Sequence, residues 1–236
     1  MEEHRSADLE QAWPLLGLSA VHRDLLLREA TDDDIVALAR VVEEGLVEPG
    51  NEHFVPRLLL GRAATFEERL ANFLRYHWGR RAATTPEKWH LAFAIVVDGE
   101  VVGSQAVHTT NFAVLREVHT GSYLSRRAQG RGVGTRMRTI VLDLAFGHFG
   151  AQWATSGFVE GNERSRRISE RLGYQADGNE LLAISARAVE SQRLRLSRKR
   201  WLEHRPPWLE EVSFAGVERA AAFLGIEPQP TTSRGV

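Results

Sequence analysis

The sequence predicts one α/β domain built on a mixed sheet, and three observations carry that reading. Strand-like and helix-like patterns alternate along the 236 residues instead of separating into two blocks. Two apolar runs, in "LAFAIVVDGEVVGSQAV", flank Asp98-Gly99, a residue pair suited to a tight hairpin turn. A strand pattern at 112–124 then leads into a glycine-rich turn, an apolar helix and a further strand, the layout of a β-α-β crossover.

The elements follow in order. "RDLLLREATDDDIVALARVVEEG" reads as a strand, a turn and a helix. Thr31 is placed to cap that helix, its aspartates favour the positive helix start, and Gly45 ends it. Residues 48–57 read as a loop from their Pro, Gly and Asn. Thr65 with Glu68 forms a capping-box pattern ahead of Phe66, Leu70, Phe73 and Leu74 at helical spacing. The hairpin and the strand at 112–124 come next, then a helix with Met137, Val141, Leu144 and Ala145 on one face. "QWATSGF" reads as a strand, and "NERSRRISERLG" as a helix closed by Gly173. Strands at 174–184 and 192–196 follow, then a short helix capped by Ser197 and a disordered tail "PQPTTSRGV". The order is βα(α)βββαβαββ.

Composition narrows the function classes. A net charge of −1 carries no basic excess, which weighs against a generic nucleic-acid or membrane-surface binder. The absence of cysteine removes disulfides, thiolate metal sites and a cysteine nucleophile. The charged start "MEEHRSADLEQAW" has no apolar core of a signal peptide, and no run approaches a membrane span. A cytoplasmic protein is expected, with no metal, nucleic-acid or membrane partner.

The turn before the central helix is the most informative stretch. Gly130, Gly132 and Gly134 lie between a strand and a helix. Helix starts present unpaired N–H groups and a positive dipole end, and glycines let those amides close on phosphate oxygens. The nucleotide P-loop pattern fails because no lysine follows Gly134, and the dinucleotide pattern GxGxxG fails because Thr135 replaces its third glycine. Tight packing alone is the alternative reading of such a turn.

The pattern that fits is Q-x-x-G-x-G, as Gln129-Gly130-Arg131-Gly132-Val133-Gly134 followed by Thr135. It resembles the pyrophosphate loop of the GCN5-related N-acetyltransferases (GNAT). "TGSYLSRRAQGRGVGTRMR" and "NERSRRISERLGY" are similar to two signatures of the ribosomal-protein acetyltransferase branch. "AWPLLGL" and the C-terminal part resemble an actinobacterial subgroup, some of it described as succinyl-CoA transferases. The resemblance spans roughly residues 12–226. It implies a mixed, mostly antiparallel sheet of about seven strands, splayed into a V between two central parallel strands. It places an N-terminal extension at 1–20, the acyltransferase domain at 21–196 and a C-terminal extension at 197–236.

The resemblance also assigns roles. Amides of Arg131, Gly132, Val133, Gly134 and Thr135 would cradle the CoA pyrophosphate, with Gln129 and Gly130 shaping the turn. Tyr123, Leu124 and Ser125 would pair with the pantetheine arm, and a backbone N–H there would polarise the thioester carbonyl. Asn162 would bond that arm, or cap the helix that follows; the two roles are compatible. Of Arg126, Arg127, Arg131, Arg164 and Arg167, only Arg131 is expected at the phosphates. His119 stands where many members carry a glutamate base, and an ordinary imidazole pKa suits that task. Its strand partners Gly121 and Tyr123 share its face; Glu117 and Glu160 are weaker candidates. Ser169 replaces the tyrosine acid of many members, so it would position the sulfur or relay a proton. Tyr174 reads as core. Trp13, Trp78, Trp89 and His90 read either as core or as lining of an acceptor pocket.

Two functions follow. One is transfer of an acetyl or succinyl group from acetyl-CoA or succinyl-CoA to a primary amine, by direct attack in a ternary complex. The acceptor would be a small molecule, a protein N-terminus or a lysine, and the resemblance implies a homodimer. The other is a non-catalytic CoA-binding sensor or scaffold.

Overall fold

Thr31 opens the first long helix as its sequence predicts. In the computed structural model, which describes residues 8–47, 65–184 and 187–227, its hydroxyl accepts the Asp34 N–H at 3.2 Å. The Asp34 carboxylate accepts the Thr31 N–H in return, at 3.0 Å. This helix, α1 (Asp32–Glu44), ends at Gly45 with φ +102°. Thr65 caps α2 (Phe66–Ala82) by accepting the Glu68 N–H at 3.2 Å. The loop expected at 48–57 and the tail expected to be disordered lie outside the described residues, except Glu227 before the tail.

Among the described residues, nine strands form one sheet: β1 (Ser19–His22), β2 (Leu25–Glu29), β3 (Lys88–Val97), β4 (Glu100–Thr110), β5 (Glu117–Leu124), β6 (Trp153–Val159), β7 (Gln175–Ile184), β8 (Arg187–Ser197) and β9 (Ser213–Ala215). Their spatial order is β7-β8-β6-β5-β4-β3-β2-β1-β9. All described pairs are antiparallel except β5 with β6. The crossover between those two strands carries α3 (Val133–Asp143). Helices α4 (Glu163–Arg171), α5 (Arg198–His204) and α6 (Val217–Phe223) complete the described frame.

Strand β3 is buried along nearly its whole length, which explains its unbroken apolar run. Trp89, Leu91, Phe93, Ile95 and Val97 pack in the core that includes α3 residues Met137, Ile140 and Val141. Ala94 joins a second cluster with Ile35, Leu38 and Phe73 from α1 and α2. The sheet is thus covered on both faces.

The structure adds to the sequence reading in three places. Strand β9 comes from the segment set apart as the C-terminal extension, and β1 straddles the boundary of the N-terminal one. The strand expected over 112–124 begins only at Glu117. Before it, Asn111 and Arg116 take left-handed backbone, and Phe112–Leu115 make a helical turn that buries Phe112. The last expected strand begins at Arg187, not 192, because residues 187–192 pair with β7.

Glu29 gives the fold a dependence on pH. It is 3% exposed at the end of β2, and its carboxylate accepts the Ala92 N–H at 3.0 Å. Burial raises its pKa from 4.5 to about 8, although that bond and Arg81 act the other way. Between those two values the native chain binds the extra proton. Stability is therefore full below about pH 4.5 for this group and falls as pH rises to about 8, by up to about 1.4 kcal/mol per unit. Urea melts of Glu29→Gln between pH 5 and 8 are expected to lose this slope.

Candidate active site

The parallel pair β5–β6 is the centre of the site. Its ladder joins only Glu117–His119 with Trp153–Thr155, while the strands run on to Leu124 and Val159. They part beyond His119 and leave a V. Hydroxyls take over where the ladder stops: Thr155 donates to the Val118 carbonyl at 3.3 Å, and Ser156 to the Thr120 carbonyl at 3.1 Å.

At the open end, β5 runs into buried Ser125 and a 3-10 turn, Arg126–Ala128. Gln129 ties this turn to three elements. Its amide donates to the Leu124 carbonyl at 2.9 Å and the Leu46 carbonyl at 2.7 Å, and its side-chain oxygen accepts from Arg164. Gly130 and Gly132 have φ of +76° and +80°, and a Cβ on either would meet nothing within 4 Å. They are glycines for backbone reasons and face open space. Gly134 differs: a Cβ there would lie 3.4 Å from Ile168, so it lets α3 and α4 approach closely.

Helix α3 starts on the Gly132 cap. The Arg136 N–H reaches the Gly132 carbonyl at 3.1 Å, which leaves Val133, Gly134 and Thr135 amides without an intrahelical acceptor. Arg131 and Arg167 are exposed. Arg127 is drawn away to Glu100, at 3.0 Å. Three bare amides at a helix start beside open space suit the pyrophosphate of CoA.

His119 sits where the V begins. Its Nδ1 is 3.1 Å from the Thr155 hydroxyl. The same hydroxyl lies 3.3 Å from the Val118 carbonyl, and in the tautomer that donates from Nδ1 to Thr155 the Nε2 lone pair is free. Across the sheet, His119 stands opposite His108, and His108 opposite His90. The rings form a row, with centroids 4.8 Å and 5.5 Å apart. Burial lowers all three. His108 falls to about 4 and His90 to about 3, with neighbouring positive groups adding to the effect. For His119, burial is partly offset by Glu180 and Glu117. The row is therefore neutral at pH 7.

A cavity of about 220 Å³ opens beside His119. His119, Gly121 and Tyr123 line it from one face of β5, as their alternation predicts. Its floor is low because Ala92, Ala106 and Gly121 lie side by side on three strands. Phe73, Tyr76 and His77 of α2 form the opposite wall.

The other expected site residues are accounted for as follows. Asn162 caps α4, accepting the Ser165 N–H at 3.2 Å. Ser169 is 1% exposed; its hydroxyl donates to the Ser165 carbonyl at 3.0 Å and accepts from Arg138 at 2.8 Å. Glu117 is paired with Arg195 at 2.9 Å. Tyr174 is core, its hydroxyl 3.3 Å from that of Thr120. Trp13 packs on Phe223, exposed Trp78 donates to Asp32, and Trp89 is buried against Phe112. The sequence reading missed Tyr76, His77 and His108, and it gave His90 no partner.

Comparison with known proteins agrees with this geometry. Residues 24–175 match the family model described as Acetyltransferase (GNAT) domain. The fold and the match define a CoA-dependent acetyltransferase. The chain belongs to the GNAT family. It is similar to a solved structure of Mycobacterium smegmatis RimJ in complex with CoA-disulfide, at 18% identity and TM-score 0.62, over 83% of this chain and 91% of that one. It is also similar to a ribosomal-protein-S5-alanine acetyltransferase from Vibrio fischeri, at 16% identity and TM-score 0.61, over 78% and 98%. A GCN5-related N-acetyltransferase from Brucella melitensis matches at 17% identity and TM-score 0.65, over 85% and 89%. At these identities the shared property is the fold. Among the described residues, no group of three or more His, Asp or Glu is arranged to hold a metal ion, and no helix is long and apolar enough to cross a membrane.

Proposed function

We propose that this chain moves an acetyl group from acetyl-CoA to a primary amine bound in the cavity beside His119. One observation carries the reading: β5, which bounds the V and lines the cavity with His119, runs on into the turn whose amides at 133–135 lack intrahelical acceptors. Amides of the 131–135 turn hold the pyrophosphate. Backbone of Tyr123 and Leu124 aligns the pantetheine arm and polarises the thioester carbonyl, since the Ser125 N–H is held by the Val102 carbonyl at 2.8 Å. His119 Nε2 takes the proton that the attacking amine must lose. Ser169, bonded to Arg138, positions α4 against the arm.

Acetyl is favoured over succinyl because, among the described residues, no Arg or Lys lines the cavity beside His119 to meet a succinyl carboxylate. Neutral His119 at an open cavity favours catalysis over passive CoA binding. We take 21–196 as the catalytic unit, with 1–20 and 197–236 as its flanks, in a homodimer working in the cytoplasm.

The test is thiol release from acetyl-CoA with a panel of primary amines. Ala106→Leu raises the cavity floor away from the turn at 129–135. It is expected to lower kcat/KM for the amine at least tenfold with CoA affinity unchanged. No thiol release with any amine, alongside normal CoA binding, would instead support the sensor reading.

A further inference from the structure

The cavity beside His119 does not end at His90. A second recess of about 500 Å³ shares Tyr76, His90 and His108 with it and continues outward. The two halves differ in charge. The inner half is lined by neutral groups, whereas Arg80 and Lys88 line the outer one, and no Asp or Glu among the described residues lines either.

These two cations are unusual for their neighbourhood. Nearby Arg81 is held by Asp32 at 2.6 Å, but neither Arg80 nor Lys88 has a carboxylate partner among the described residues. Arg80 lies over the Tyr76 ring, 5.1 Å from its centre, which fixes the guanidinium along the recess wall. Its charge reaches inward, because it contributes to the depression of both His90 and His108. A basic peptide entering here would meet like charges, which selects against it.

We propose that the acceptor is a small amine bearing an anionic group, carboxylate or phosphate, which Arg80 and Lys88 hold at the outer end of the recess. This rests on the transferase reading above. From His119 to His90 is two strand spacings, about 10 Å. Arg80 and Lys88 lie beyond His90, so the anion and the reacting nitrogen sit at least about that far apart, with the middle of the molecule along the imidazole row. The step balances: the amine nitrogen bonds the acetyl carbon and gives its proton to His119, the carbon–sulfur bond breaks, and the sulfur leaves as the thiolate, which takes a proton from the His119 imidazolium or from water to become the CoA thiol.

The test compares 8-aminooctanoate, its uncharged amide 8-aminooctanamide, and 7-aminoheptylphosphonate. Each is measured for binding by calorimetry in the presence of CoA and for acetylation by thiol release. The wild type is expected to prefer the anionic amines over the amide by about tenfold, the scale of one charge-assisted contact. The carboxylate and phosphonate arms show which anion is favoured. Exposed Arg80 and Lys88 are changeable without harm to the core. In Arg80→Gln/Lys88→Gln the preference is expected to fall to within about twofold, with the amide and CoA unaffected. In Arg80→Glu/Lys88→Glu it is expected to reverse. Equal affinity for acid and amide in the wild type, an unchanged preference in the double variant, or a basic peptide that outcompetes 8-aminooctanoate would overturn the proposal. Binding preference without turnover of any amine would overturn the transferase reading and uphold the anion site.

Discussion

His119→Gln is expected to lower kcat by about 10²- to 10⁴-fold, the usual contribution of a positioned base, while the Kd for CoA stays within twofold. Glutamine keeps a donor for Thr155 but has no basic lone pair. The tautomer makes the expectation sharp. Donation by the Thr155 hydroxyl to Val118, 3.3 Å away, would favour the Nδ1–H tautomer and leave Nε2 as the acceptor. Burial holds the imidazole below its ordinary value, so the base form predominates at pH 7. The acid limb of the kcat profile should therefore fall below pH 6.5 and vanish from the residual rate of His119→Gln. Thr155→Val should lower kcat as well, with little change in stability, because it frees the ring to adopt the wrong tautomer. An acid limb that survives unchanged in His119→Gln would assign the base elsewhere.

Acid lability is the second large effect. His77, His90 and His108 have native values of about 4, 3 and 4, set mainly by burial, against 6.5 for a free side chain. Below pH 6.5 the unfolded chain takes up protons that the native one refuses. This contribution to stability is complete above about pH 6.5 and is lost as pH falls toward 4 and 3. Each group gives up to about 1.4 kcal/mol per unit. Glu29 acts with the opposite sign up to about pH 8, so stability is expected to peak near pH 6.5. Urea midpoints across pH 4–8 check this, and His77→Leu should flatten the acid side. A curve level between pH 6.5 and 4.5 would contradict the burial of these rings.

Much of the frame is legible in local signals. Thr31, Thr65 and Ser197 cap the helices that their side chains announce, because capping depends on a residue and the three that follow it. Asp98-Gly99 makes its turn for the same reason. Strand β9 is three residues long and gains its partner β1 from across the chain, so no local pattern marks it. The histidine row is hidden by one irregularity. Counting back from the turn sets Val107 opposite His90. The bulge between Ile95 and Val96 shifts the pairing by one residue and puts His108 there instead. That single extra residue turns three scattered histidines into a continuous row facing α2.

Titration of CoA into the protein by calorimetry, repeated with Gly132→Val, is the most direct measurement. Valine at φ +80° is strained and projects its branches into the open space before the α3 amides. One CoA per wild-type chain, with affinity at least 100-fold weaker in the variant, is the expected result. No heat from the wild type, or equal affinity in both, would contradict a phosphate-binding turn at residues 129–135.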